Sequence, residues 1–157
     1  MMVGYAPTLT GPLLDLVTAL LTSLELTPRH REMLILLVSR ETECEYEWVQ
    51  HVPQAHLHGV RAAELSWIEN PGLLSRDPAD NLLLRCGRKY LHDHKLGPED
   101  VDDLEKHFTA RQIAEILLML GSYRMFTLFI NALEVDLDPA GEELAARFAA
   151  PATASAR

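Results

Sequence analysis

Apolar residues recur along this chain at helical spacing, and no stretch of useful length alternates in the two-residue rhythm of a strand. Between residues 11 and 24, Leu13, Leu14, Val17, Leu20, Leu21 and Leu24 follow the i, i+3, i+4, i+7 rule and predict a first helix. Thr27 before Pro28 reads as an N-cap with proline at the first helical position. Met33, Leu34, Leu37 and Val38 then give a stripe that carries a second helix to about Glu41. A third helix begins around Cys44 and stops at Gly59, with Pro53 predicting a bend or an early start.

Residues 61–69 predict a short fourth helix, closed off by Asn70-Pro71-Gly72. Asp77-Pro78 opens a fifth helix with Leu82, Leu83, Cys86 and Tyr90 facing inward. Gly97-Pro98 ends that unit and opens a short acidic helix to about Phe108. Thr109 with Gln112 forms a capping box for a long apolar helix from Ala110 to about Glu134, which the pattern suggests is central to the fold. The expected architecture is an all-α bundle of about seven helices. Residues 1–138 form one helical domain, and the alanine-rich residues 139–157 carry too little apolar bulk to offset the entropy of ordering them.

Composition narrows the partners more than the fold. The 157 residues include 14 basic and 23 acidic side chains, a net charge of −9, and no basic run long enough to track a phosphate backbone. A small-molecule substrate is the expected partner, not nucleic acid. Arg124 stands in the middle of the apolar stretch 116–133, where a bilayer would make it costly, so a membrane span is not expected either. Asp15 interrupts the first apolar run and no Lys or Arg precedes it, unlike a secretory signal, so a cytoplasmic location is expected. Cys44 and Cys86 form neither a CxxC pair nor a disulfide framework.

The segment CEYEWVQH, residues 44–51, concentrates the candidate chemistry. On a helix, Cys44, Glu47 and His51 lie within about 60° of one another around the axis, and Glu47 and His51 are an i, i+4 pair that can exchange a proton. Taken alone, the same pair reads first as an ordinary solvated helix face with a modest i, i+4 interaction. A zinc site would need a spacing this segment lacks. His56 with His58, and His92 with His94, point about 200° apart on a helix and cannot chelate together. Neither metal nor cofactor is expected.

The larger pattern RHREMLILLVSRETECEYEWVQHVPQAHLHGV, residues 29–60, resembles the carboxymuconolactone decarboxylase-like family, including its alkylhydroperoxidase D branch. FTARQIAEILLMLGSYRMFTLFINALEVDLD is similar to that family's closing helix, so the resemblance spans roughly residues 26–137. The family is all-α and oligomeric, which implies a dimer, trimer or hexamer. Its peroxidase branch carries a glutamate, a cysteine twelve residues later, a second cysteine in CxxC, and a histidine four residues beyond. Glu32, Cys44 and His51 match these places, while Glu47 replaces the second cysteine in a YEWxxH variant.

Glu47 cannot resolve an oxidised sulfur, but it can donate or accept a proton. The resemblance therefore implies an acid/base site of Glu32, Glu47 and His51, with Cys44 as an accessory. It would act as a decarboxylase, isomerase or related lyase on a small oxygenated organic acid or lactone. Arg40 or Arg124 would be available to hold such a substrate. Two alternatives stand beside it: a single-cysteine peroxidase using Cys44, and a non-catalytic oligomeric binding protein on the same fold.

Overall fold

The computed structural model describes residues 5–137, and the expected tail over 139–157 lies outside the described residues. Seven α-helices and no strand occur among them: α1 (Pro7–Thr22), α2 (Pro28–Glu41), α3 (Glu45–Leu57), α4 (Ala62–Glu69), α5 (Pro78–Asp93), α6 (Pro98–Leu104) and α7 (Ala110–Ala132). The caps sit where the sequence places them. Thr27 Oγ1 accepts from the His30 amide at 3.1 Å, the Asp77 carboxylate accepts from the Ala79 amide at 2.9 Å, and Thr109 and Gln112 exchange bonds of 3.1 and 3.0 Å. Each satisfies amides that the first helical turn leaves without an intrahelical partner.

The centre of the bundle is α2, not the long α7. Eight consecutive residues of α2, Glu32 to Ser39, are buried, and α3, α4, α5 and α7 all pack against this helix. A helix covered on every side buries more than one stripe, so Ile35 and Leu36 are buried together with the four residues of the predicted stripe, and Glu32 and Ser39 are buried with hydrogen-bond partners. α7 buries Ile113, Ile116, Met119, Leu120 and Tyr123 against the core but leaves Leu118, Met125, Leu128 and Phe129 exposed. Its length and composition alone would suffice for a membrane span, yet it packs as a bundle helix on α2 and α5.

Other boundaries differ by small amounts with local causes. α1 begins four residues earlier than the apolar pattern suggests, because Pro7 supplies the pre-set backbone angle of a first helical position. α3 runs through Pro53, which removes the amide that would have served the Val49 carbonyl. α5 ends at Asp93 because His94 adopts a left-handed φ of 61°, ahead of the Gly97-Pro98 pair. α6 ends at Leu104, short of Phe108. On α5, Leu83 and Cys86 are buried as expected, Leu82 and Tyr90 are half-buried, and Leu84 and Leu91 join the core.

Buried charges fasten the helices to one another. Asp80 on α5 takes a forked pair from Arg29 at 2.6 and 2.8 Å and a bond from Ser75 at 2.9 Å, while Arg29 also reaches Glu64 on α4. Glu115 on α7 accepts from the Glu25 and Leu26 amides at 3.1 and 2.8 Å and so holds the entry to α2. Every one of these carboxylates is paired, as burial requires.

Candidate functional site

The α2–α3 hairpin determines which side chains meet. Glu43 turns the chain with a left-handed φ of 52°, and the Cys44 amide donates to the Ser39 carbonyl at 2.8 Å. From that closing bond, seven residues back along α2 lead to Glu32 and seven forward along α3 lead to His51. Seven residues are nearly two full turns, so both side chains return to the facing sides of their helices. The sequence spacing of Glu32, Cys44 and His51 is therefore the register of one helical hairpin.

His51 Nδ1 lies 2.8 Å from Glu32 Oε2, and Nε2 lies 3.3 Å from Glu47 Oε2. An imidazole flanked by carboxylates at both nitrogens satisfies both contacts as a donor only when it carries two protons. Burial alone would push the His51 value down, but the hydrogen bonds and charges of Glu32 and Glu47 outweigh it and raise it to about 9. Burial would likewise push Glu32 up, yet the bonds from His51 and then Arg31 hold it below the ordinary carboxylate range. Glu32 is fully enclosed, whereas the side chains of Glu47 and His51 keep 13% and 15% of their exposure and form the open end of the group.

Two further residues complete the site without having been singled out in the sequence. Arg31 donates from Nε and Nη2 to Glu32 Oε1 at 3.0 and 2.8 Å, and from Nη1 to the Leu21 carbonyl. Tyr123 on α7 sets its ring edge-on to His51, with centroids 5.6 Å apart and planes at 85°. Burial, then the charges of Glu47 and Glu32, push its hydroxyl upward, so it stays a phenol.

Arg40 and Arg124 are engaged elsewhere. Arg40 stacks 3.5 Å over the Trp48 ring and pairs with Glu45 and Glu69. Arg124 donates to the Leu91 carbonyl and lies 3.2 Å from His94 Nδ1, tying α7 to the end of α5. Cys44 occupies the N-cap position of α3, buried, and burial pushes its thiol up despite the nearby Glu47 and Tyr46 amides. Cys86 is also buried and free on α5. Among the described residues, no group of three or more His, Cys, Asp or Glu side chains is placed to hold a metal ion. A surface cleft of about 500 Å³ beside α4 and α5, lined by Trp67, Leu74, Leu82 and Arg88 among others, includes none of Glu32, Glu47 or His51.

The fold is an all-α bundle of the AhpD type, and it carries a Glu–His–Glu chain enclosed at Glu32 and open at Glu47. Solved structures share this architecture. An alkylhydroperoxidase AhpD core, an uncharacterized peroxidase-related protein from Ralstonia eutropha JMP134, superposes with a TM-score of 0.78 at 18% identity, over 90% of this chain and 76% of that one. An uncharacterized peroxidase-related protein from Silicibacter sp. TM1040 gives 0.75 at 19% identity, over 83% and 70%. A protein of unknown function from Agrobacterium tumefaciens gives 0.76 at 14% identity, over 87% and 94%. No family model matches the chain, and no curated protein matches it. At these identities the likeness establishes the fold.

Proposed function

We propose that this chain belongs to the carboxymuconolactone decarboxylase-like group as its YEWxxH variant, and that it moves a proton on a small oxygenated substrate such as a lactone or keto acid. The observation that carries this reading is the two-sided hold on His51, 2.8 Å from Glu32 and 3.3 Å from Glu47, with Glu47 at the open end. Glu47 would take a proton from the carbon beside a carbonyl, and His51, protonated at neutral pH, would supply one to the developing oxyanion or carbanion. All three nitrogens of Arg31 are engaged, so this arginine does not serve as the anchor for a substrate carboxylate.

A peroxidase cycle fits this site less well. The thiolate is the attacking species, and Cys44 is buried with its thiol raised, while Glu47 stands where a second thiol would resolve the product. The reading is tested by deuterium wash-in from D2O into a panel of lactones and keto acids, followed by NMR. Glu47→Gln and His51→Ala should each slow exchange by roughly 100-fold or more, and Cys44→Ala should leave it within about twofold. Cys44-dependent turnover of an organic hydroperoxide with a thiol reductant, and no exchange in the panel, would replace this reading with a peroxidase.

A further inference from the structure

We infer that Arg31 is a positioning residue: by occupying Glu32 Oε1 it leaves Oε2 for His51 Nδ1 and so turns the imidazole to present Nε2 to Glu47. Two donors of the guanidinium converge on the single oxygen Oε1, at 3.0 and 2.8 Å, and the third is anchored to the carbonyl of Leu21 at the end of α1. The arginine therefore cannot swing away without abandoning three bonds. Glu32 has both oxygens committed and is 1% exposed, so it touches no substrate and serves as the link between Arg31 and His51.

The charged and titratable groups form an alternating row, Arg31, Glu32, His51, Glu47, contributed by α2 and α3. Tyr123 is the facing group from α7, Cys44 stands one turn before Glu47, and α1 supplies only a backbone carbonyl. Without the cation, a buried carboxylate would be easier to protonate and free to rotate, and the imidazole would lose the fixed acceptor that sets its ring plane. The importance of this arrangement rests on the acid/base reading, but the arrangement itself can be read without any substrate.

An imidazole N–H held at 2.8 Å from a carboxylate and sheltered from water gives a slowly exchanging, downfield proton resonance. In the wild-type protein that resonance should be present at neutral pH, be lost in His51→Ala, and persist on acidification below the ordinary carboxylate value of 4.5. Arg31→Gln should abolish it or raise its acid-side midpoint by about one pH unit, and Arg31→Lys should restore it, since lysine can charge Oε1 without holding Leu21. An unchanged resonance and midpoint in Arg31→Gln would overturn the proposal. So would a failure of Arg31→Lys to restore the signal, which would assign the effect to the Leu21 link. If Arg31→Gln does not fold, loss of the wild-type resonance at or above pH 4.5 in folded protein overturns it instead. Silence in the deuterium wash-in with a normal resonance pattern would sink the catalytic reading and leave the role of Arg31 standing.

Discussion

At the scale of single residues, the charge on His51 bears on stability. A histidine whose folded value lies above its unfolded 6.5 stabilises the fold fully below that pH, and the contribution disappears as pH rises through about 9. The side chain is mostly buried, so the loss should reach up to about 3 kcal/mol. Urea unfolding on either side of this window should show the decline in the wild type and a flatter curve for His51→Gln. Parallel curves would mean that the imidazolium is not held by its two carboxylates. Sequence reasoning reached Glu32, Glu47 and His51 because their spacing matches a known pattern and a helical face. Arg31 stayed out of reach because neighbours at i and i+1 diverge by about 100° on a helix, and only a long guanidinium can bend back to the adjacent carboxylate. Tyr123 stayed out of reach because it meets His51 from a helix more than seventy positions along the chain, a distance no local spacing encodes.

At the scale of elements, caps and breakers were legible because each is a local contest for backbone amides, which residues such as Thr27, Asp77 and Thr109 win by short side-chain bonds. Which helix becomes central was not legible. α2 and α7 are both apolar enough, and the choice follows from which one four other helices surround. The contact between α2 and α5 depends on Gly87, where an added methyl would approach Leu37 Cδ2 to 2.7 Å. Gly87→Ala should therefore destabilise the protein by about 1–2 kcal/mol even after the gain of about 1 kcal/mol in helix propensity. Thermal unfolding measures it, and an unchanged or raised midpoint would show that Leu37 can move aside at no cost.

For the whole molecule, the outer apolar surface is the main unspent resource. α1 buries only Leu20, leaving Leu9, Leu14 and Leu16 exposed, and on α7 Leu118, Met125 and Phe129 recur at i, i+7 and i+11 along one stripe. Leu118 is 61% and Leu128 54% exposed, more than single scattered leucines would explain in a chain carrying a net charge of −9. Self-association through these faces is the expected outcome. Sedimentation at about micromolar concentration should show an oligomer in the wild type and a shift towards monomer for Leu128→Glu. A wild-type monomer would contradict it.

The short α2–α3 hairpin also bears on the order of assembly. Glu32 and His51 are nineteen positions apart and meet through a turn of three residues, whereas Tyr123 closes over them from the far end of the chain. Contacts between near neighbours in sequence form early at small loop-closure cost, and distant ones come later. The Glu32–His51 pair is therefore expected to form before α7 docks over it, and φ-values higher in α7 than in the α2–α3 hairpin would contradict this order. Opposite charges that find each other before desolvation are never stranded singly in a half-built core.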